Sequence, residues 1–359
     1  MDFYISTTPR HLLFAILRAQ SRPETSAQIL FFTRHLEQDR CQWQPDGLPA
    51  HITVHFLSWR EMKDQMALRP WGLWMRLRNA RKGQASKALE RQFCAHLDRF
   101  SPGLGQALNH SASRQLLIFH DRNPIARLFV QLFPRFDLIE DGEGNYMERK
   151  LSGVKRQLRR WQGLPEVRVF GEGAKCRHIL ALHPEQLPQA IRHKGRGIDF
   201  LKLTHPEMLL KFFNVQDALS AGERNIVLLT QPLERLDAGS KSLKKKVFAV
   251  LSERLAERGY HTVLKIHPRE APEEYAHLNA PGGALDPRVP IEALILGADA
   301  PVTLLSVQST AGSGFESYCR PLKMVGRQMN QAIADWGNDM DAWRNALDVT
   351  LDSGNPAHE

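Results

Sequence analysis

The sequence predicts an α/β protein of two consecutive domains, each a parallel sheet with helices on its crossovers. Three observations point to it. The chain has 359 residues, too many for one ordinary hydrophobic core and ample for two domains. In each half, short β-rich runs alternate with helix-length segments, the cadence of parallel strands joined by crossovers. Hydrophobic residues make up 42% and charged residues 24%, the balance of a soluble globular chain, and no window reaches the ~18 consecutive apolar residues of a membrane span.

The first half opens on DFYIST (2–7) and continues through QILFFT (28–33), HITVHFLS (51–58), RQLLIFHD (114–121), FDLIED (136–141) and EVRVFGEG (166–173). Residues 174–224 carry no strong strand and include HKGRG (193–197) and AGERN (221–225), so the junction is expected near 200–220. A second series follows: NIVLLTQ (225–231), a helix over about 240–258 ended by Gly259, HTVLKIH (261–267), VTLLSVQ (302–308) and PLKMVG (321–326). From about 330 the chain reads as a terminal helix with Trp336 and Trp343. The expected division is 1–215, 216–330, and a terminal helix and tail over 331–359.

A net charge of +9 and a pI near 9.5 favour anionic partners: nucleic acid, anionic lipid, or phosphorylated and acidic sugars. The basic residues cluster in RPWGLWMRLRNARKG (69–83) and RKLSGVKRQLRRW (149–161). The first interleaves tryptophan and leucine with arginine, a composition suited to an anionic membrane interface; the alternative is a surface helix whose tryptophans pack on a neighbouring domain. No RNA- or DNA-binding signature accompanies the charge, and no GxxxxGK[ST] loop is present. Cys41, Cys94, Cys176 and Cys319 lie far apart without a CxxC, against a zinc site or disulfide framework. The N-terminal stretch lacks the basic-then-apolar order of a secretion signal, so the expected location is the cytoplasm, with the inner face of the inner membrane as a place of contact.

Four short motifs carry chemistry. LIEDGEGNY (138–146) sets Glu140, Asp141 and Glu143 where a strand ends, and ligands of parallel sheets sit at carboxyl ends. It is either a solvated turn or a base at the sheet rim, with Gly142 and Gly144 making room for a ligand. In KIHPRE (265–270), Pro268 stops the strand and holds His267 at its rim beside Lys265 and Arg269, an arrangement suited to phosphate. His183-Pro184 and His205-Pro206 read instead as helix boundaries. VTLLSVQSTAGSGFESYC (302–319) runs from a strand into Ser309, Thr310 and a helix start, either an anion site or an ordinary cap. Between them Glu292, early in a short apolar helix, has the chemistry to accept both hydroxyls of a ribose or simply to cap the helix. Asp339-x-Asp341 reads as a solvated helix start, leaving no convincing metal site.

Taken in order, acid-acid-Gly, HP, Glu and Ser-Thr resemble the motifs of bacterial sialyltransferases, and EDGEGN, LLTQP (228–232), K-x-HPR and YISTTP resemble most the lipooligosaccharide sialyltransferases of glycosyltransferase family 52. The resemblance spans Tyr4 to about Gly326. It implies a GT-B type fold, two Rossmann-like domains facing across a cleft, and an inverting, metal-independent and cofactor-free transfer of sialic acid from CMP-sialic acid to a hydroxyl of a cell-surface glycan, of lipooligosaccharide or capsule type. It implies Asp141 with Glu140 as the base, His267 and Pro268 on the CMP phosphate, Glu292 on ribose, and Ser309 with Thr310 on phosphate. Lys265, Gly142, Gln231 and Thr8 join the substrate site. Some members place an acid directly after the proline that ends the first strand of the second half. Here that position is Leu233, followed by Glu234, so the base is Asp141 or Glu234. Another CMP-nonulosonate, Kdo or a glucosyl donor is the alternative on the same fold, and a nucleotide- or nucleic-acid-binding module is the non-enzymatic one.

Overall fold

The computed structural model describes residues 1–33, 43–77, 84–110, 114–161, 166–203, 206–215, 219, 224–233, 241–268, 270–309, 311–325 and 329–353. The chain divides into two compact units, Met1–Met208 and Leu209–Glu359. Each is α/β with its own parallel sheet.

In the first unit, β1 (Asp2–Ser6), α1 (Pro9–Gln20), β2 (Ala27–Thr33), β3 (Ile52–Ser58), α2 (Trp59–Ala67), α3 (Pro70–Leu77), α4 (Lys87–Leu97), α5 (Leu104–His110), β4 (Gln115–Ile118), α6 (Pro124–Val130) and β5 (Phe136–Ile139) follow in order. The ribbon β6 (Arg149–Lys150) and β7 (Val167–Arg168) brackets α7 (Gly153–Trp161), and β8 (Cys176–Ala181) and β9 (Gly195–Gly197) complete the unit. The sheet order is β3-β2-β1-β4-β5-β8-β9, parallel throughout. β1, β4 and β5 are covered on both faces, which is why they read as near-continuous apolar runs. Thr8 caps α1, its side chain accepting from the His11 N–H, and Pro9 supplies a φ already suited to a first turn.

The division between the units falls inside α8 (Pro206–Phe212). The second unit runs β10 (Asn225–Leu229), α9 (Lys241–Glu257), β11 (His261–Lys265), β12 (Ala284–Leu285), α10 (Ile291–Leu296), β13 (Val302–Ser306), β14 (Cys319–Lys323), α11 (Met329–Trp336) and α12 (Met340–Ser353), with sheet order β12-β11-β10-β13-β14, again parallel. Gly259, at φ +76°, lets the chain leave α9 and turn into β11.

Four expectations are corrected. EVRVFGEG contributes only two strand residues, paired antiparallel with β6 and outside the main sheet. The stretch thought to lack a strand holds β8, beside β5. Its polar start hid it: Arg177 places a fork on the buried Asp137 of β5 (3.1 and 2.8 Å), a partner that a strand pattern does not reveal. Among the described residues after Ser309 no helix starts; residues 311–314 turn, with Gly312 and Gly314 at positive φ, and lead to β14. The terminal segment is two helices rather than one, and Trp343, Leu347 and Leu351 belong to the core of the second unit. Pro184 and Pro206 do open helical turns. Cys94, Cys176 and Cys319 are buried free thiols, pushed up to about 12 chiefly by burial, while Cys41 lies outside the described residues.

Candidate functional site

Both sheets are doubly wound. The chain winds outward in one direction from β1 through β2 and β3, then starts the other way at β4; the second unit does the same from β10 and β13. Between β1 and β4, and between β10 and β13, successive crossovers leave to opposite sides and open a crevice beyond the carboxyl ends of the strands, where such sheets bind ligands.

At the first switch point, chain leaving β1 carries Thr7 and His11, chain leaving β4 carries His120 and Asn123, and chain leaving the next strand, β5, carries Glu140 and Asp141. Thr7, His11, Phe119, His120 and Asn123 line one narrow recess. The buried imidazole of His11 lies flat on Phe119, with ring centroids 4.2 Å apart and 4° between planes. The Thr7 backbone N–H donates to its Nδ1 (3.3 Å), so in the neutral ring Nε2 carries the proton, and Nε2 meets Asp141 Oδ1 at 2.5 Å. His120 is set the same way, its Nδ1 accepting from the Arg122 N–H (3.1 Å).

The two acids of the EDG motif, both just past the end of β5, part company. Glu140 turns inward: Oε2 accepts from the Leu182 N–H (2.8 Å) and from the Tyr146 hydroxyl, which in turn accepts from the His183 N–H (3.1 Å). Burial, then Glu140 itself, push the Tyr146 hydroxyl upward, so it stays a donor. Asp141 turns outward, its side chain 35% exposed. Burial raises its carboxyl, but His11, with His120 and Arg10 behind it, outweighs that and holds Asp141 below the ordinary carboxylate range. Gly142, at φ +129°, makes the bend, and Asn145 closes it by accepting from the Asp141 N–H (2.9 Å). Thr8 stands at the same strand end as the α1 cap.

At the second switch point, the Gln308 N–H donates to Gln231 Oε1 (2.7 Å), tying the carboxyl ends of β13 and β10 together. His267 follows β11, its N–H donating to Thr230 Oγ1 (2.9 Å), while the Thr230 hydroxyl donates to Glu270 (2.8 Å). Pro268 begins the turn after His267. Lys265 does not stand at the rim: it is buried, its ammonium donates to the Asp286 carbonyl (2.7 Å), and burial pulls it down to about 8 against the nearby Asp286 and Glu292. Glu292 is buried rather than solvated, and Oε1 accepts from the Gly312 N–H (3.4 Å) in the turn after Ser309. Ser309 Oγ accepts from the Ala311 N–H (3.1 Å), closing its own turn. Glu234, Thr310 and Arg269 lie outside the described residues.

The structure thus brings His267, Gln231, Glu292 and Ser309 to the strand ends of the second unit, and Asp141, Gly142 and Thr8 to those of the first. Sequence reasoning missed His11, His120 and Asn123. The available signal was a histidine just past each of two strand ends. Among the described residues no three His, Cys, Asp or Glu side chains gather as a metal-ion site.

No known protein family matches the chain, and no curated protein sequence does. Several solved structures are similar to it. It is similar to an α/β-galactoside α-2,3-sialyltransferase from the luminous marine bacterium Photobacterium phosphoreum, at 10% identity over 85% of this chain and 85% of that one, with a TM-score of 0.41. It is also similar to a UDP-glucose:anthocyanidin 3-O-glucosyltransferase in complex with UDP, at 12% identity over 98% and 89% of the two chains, TM-score 0.45. A third is a wall teichoic acid polymerase, at 10% identity over 98% and 83%, TM-score 0.40. At these identities and scores no residue role is carried across from any of them.

Proposed function

We propose that the chain is a glycosyltransferase of the GT-B type that moves sialic acid from CMP-sialic acid to a glycan hydroxyl, with inversion and without a metal. The observation behind it is Asp141: an ionised carboxylate at a sheet's switch point, one oxygen held by His11 and the side chain still open to a ligand.

In the proposed step the acceptor hydroxyl oxygen attacks the anomeric carbon from the face opposite the phosphate. The carbon–oxygen bond to CMP breaks, CMP leaves with the electron pair, and Asp141 takes the hydroxyl proton. A carboxylate held below the ordinary range is a weak base that stays ionised around neutral pH. That suits a transfer whose transition state is oxocarbenium-like, because the hydroxyl becomes acidic only as its oxygen bonds to the sugar. His11 fixes the direction of the carboxylate, and Glu140, bound by Leu182 and Tyr146, fixes the strand end from which it projects. In the second unit His267, Gln231, Ser309 and Glu292 are the proposed CMP-binding groups, with Thr310 beside them; a monophosphate needs less charge compensation than a diphosphate. Glu234 remains the alternative base.

The test is CMP release from a panel of CMP-sugars against lactoside, sialoside and lipid-linked acceptors, with and without chelator. Release from CMP-sialic acid, unaffected by chelator, is the expected result. Turnover of a UDP-sugar alone, or an absolute need for Mg²⁺ or Mn²⁺, refutes the donor assignment. Turnover of another CMP-nonulosonate or of CMP-Kdo in place of CMP-sialic acid keeps the mechanism and changes the sugar.

A further inference from the structure

Exposed apolar side chains are ordinary when scattered and informative when gathered. Among the described residues, six of the nine exposed large hydrophobics lie in or beside two short helices of the first unit: Leu68, Leu73 and Trp74 at α3, and Val154, Leu158 and Trp161 on α7. These helices fall in the two basic clusters of the sequence.

The geometry of α7 is specific. At 100° per residue, positions 154, 158 and 161 fall on one narrow stripe, and that stripe faces outward, with Val154 85%, Leu158 53% and Trp161 80% exposed. The buried member of the helix is a charged residue. Arg159 anchors it to the body by a fork on Glu172 (3.0 and 2.9 Å) and by donating to the Val167 carbonyl (3.1 Å). The usual orientation of an amphipathic surface helix, apolar side in, is reversed. Residues 149–166 contain six basic residues and one acid, Glu166, which pairs with Arg160 and with Arg156 (3.8 Å), so the segment keeps a clear excess of positive charge.

The second helix has the same character. Beside α3 runs a groove floored by Trp59, Met75 and Leu128 and rimmed by Lys63, Arg76 and Arg127. Both helices are moored to one segment of chain. Gln131, just past α6, donates to the Met75 carbonyl of α3 (2.9 Å); Arg122, just before α6, donates to Val169 (3.0 Å), close to the residues that Arg159 grips.

We infer that the first unit docks on an anionic phospholipid surface, with Val154, Leu158 and Trp161 of α7 entering the headgroup boundary and Leu73 and Trp74 of α3 supporting them. Apolar side chains aimed at solvent within a segment of net positive charge complement lipid with negative headgroups: the apolar stripe gains from leaving water and the excess positive charge gains from the surface potential. No helix among the described residues is long and apolar enough to cross a membrane, so the contact is with the surface. This docking is independent of the donor and acceptor proposed above.

The full chain should co-float with phosphatidylcholine vesicles containing phosphatidylglycerol and not with phosphatidylcholine alone, and the bound fraction should fall as salt rises. The triple variant V154S/L158S/W161S should lower the partition coefficient by roughly tenfold or more and keep the wild-type melting profile, because Val154 and Trp161 are largely exposed, while L73S/W74S should lower the partition less. Lys155→Glu should weaken binding at low salt and matter less at high salt. Absence of binding to anionic vesicles at low salt overturns the inference. So does a triple variant that binds like wild type, or retention on an acidic polysaccharide without vesicle binding.

Discussion

Lys244 and Glu270 form an ion pair at 2.9 Å with side chains only 2% and 1% exposed, a burial that neither charge tolerates alone. Glu270 also accepts from the Tyr275 hydroxyl (2.7 Å) and from Thr230, the residue whose oxygen holds the His267 N–H. Glu270→Gln keeps the volume and removes the charge. Breaking a buried pair costs about 3–5 kcal/mol. Lys244 keeps a second carboxylate, Glu274 at 2.6 Å, which is itself one-third exposed, so the lower end, about 3 kcal/mol, is expected. Two compact units are unsuited to one two-state transition. The assay is therefore hydrogen exchange of the β10 and β11 amides, which reports the second unit by itself and should speed up by roughly 150-fold. Lys244→Met should cost a similar amount, and the double variant less than the sum, because the only charge then left without its partner is the one-third exposed Glu274. Exchange in Glu270→Gln within a factor of about five of wild type would refute the assigned role of this pair.

Asp141→Asn should lower kcat by ~10²-fold or more at saturating donor while CMP binding stays nearly intact; wild-type turnover would return the EDG cluster to an acidic turn and leave Glu234 to be tested by Glu234→Gln. The acid limb of wild-type kcat/KM should lie below the ordinary carboxylate range, and His11→Phe should move it upward, since burial then acts without its main opponent; an unmoved limb separates His11 from the base. His267→Ala should weaken CMP binding by roughly 1–3 kcal/mol, and unchanged affinity in calorimetry removes it from the donor site. Lys265 is protonated less readily in the folded chain, at about 8, than when unfolded, so the unfolded state binds the extra proton above pH 8. Its contribution to stability should therefore rise from about pH 8 towards the unfolded lysine value near 10.4, and Lys265→Met should lose that rise when urea midpoints are compared at pH 7 and 9.5.

Sequence alone determined the α/β class and most of the strands, because buried parallel strands must be apolar on both faces and so announce themselves as short continuous runs. It also located the EDG motif and His267 at strand ends, since a glycine pair and a proline stop a strand whatever surrounds them. β8 escaped because Arg177 fits a buried strand only once Asp137 stands opposite it. The turn after Ser309 escaped because Gly312 and Gly314 at positive φ are as readily read as small residues at a helix start. Lys265 looked like a rim cation, and only the fold turned its ammonium onto the Asp286 carbonyl. The division of labour between Glu140 and Asp141 was also beyond the sequence. Both lie past the end of β5, so no strand alternation fixes them, and which one meets Leu182 and Tyr146 and which one meets His11 depends on residues as much as 130 positions away. The chain carries the chemistry of the site as local signals at strand ends. The sheet order, which brings β1, β4 and β5 side by side, is what turns a histidine in the first helix and an acid from another strand into one polar centre.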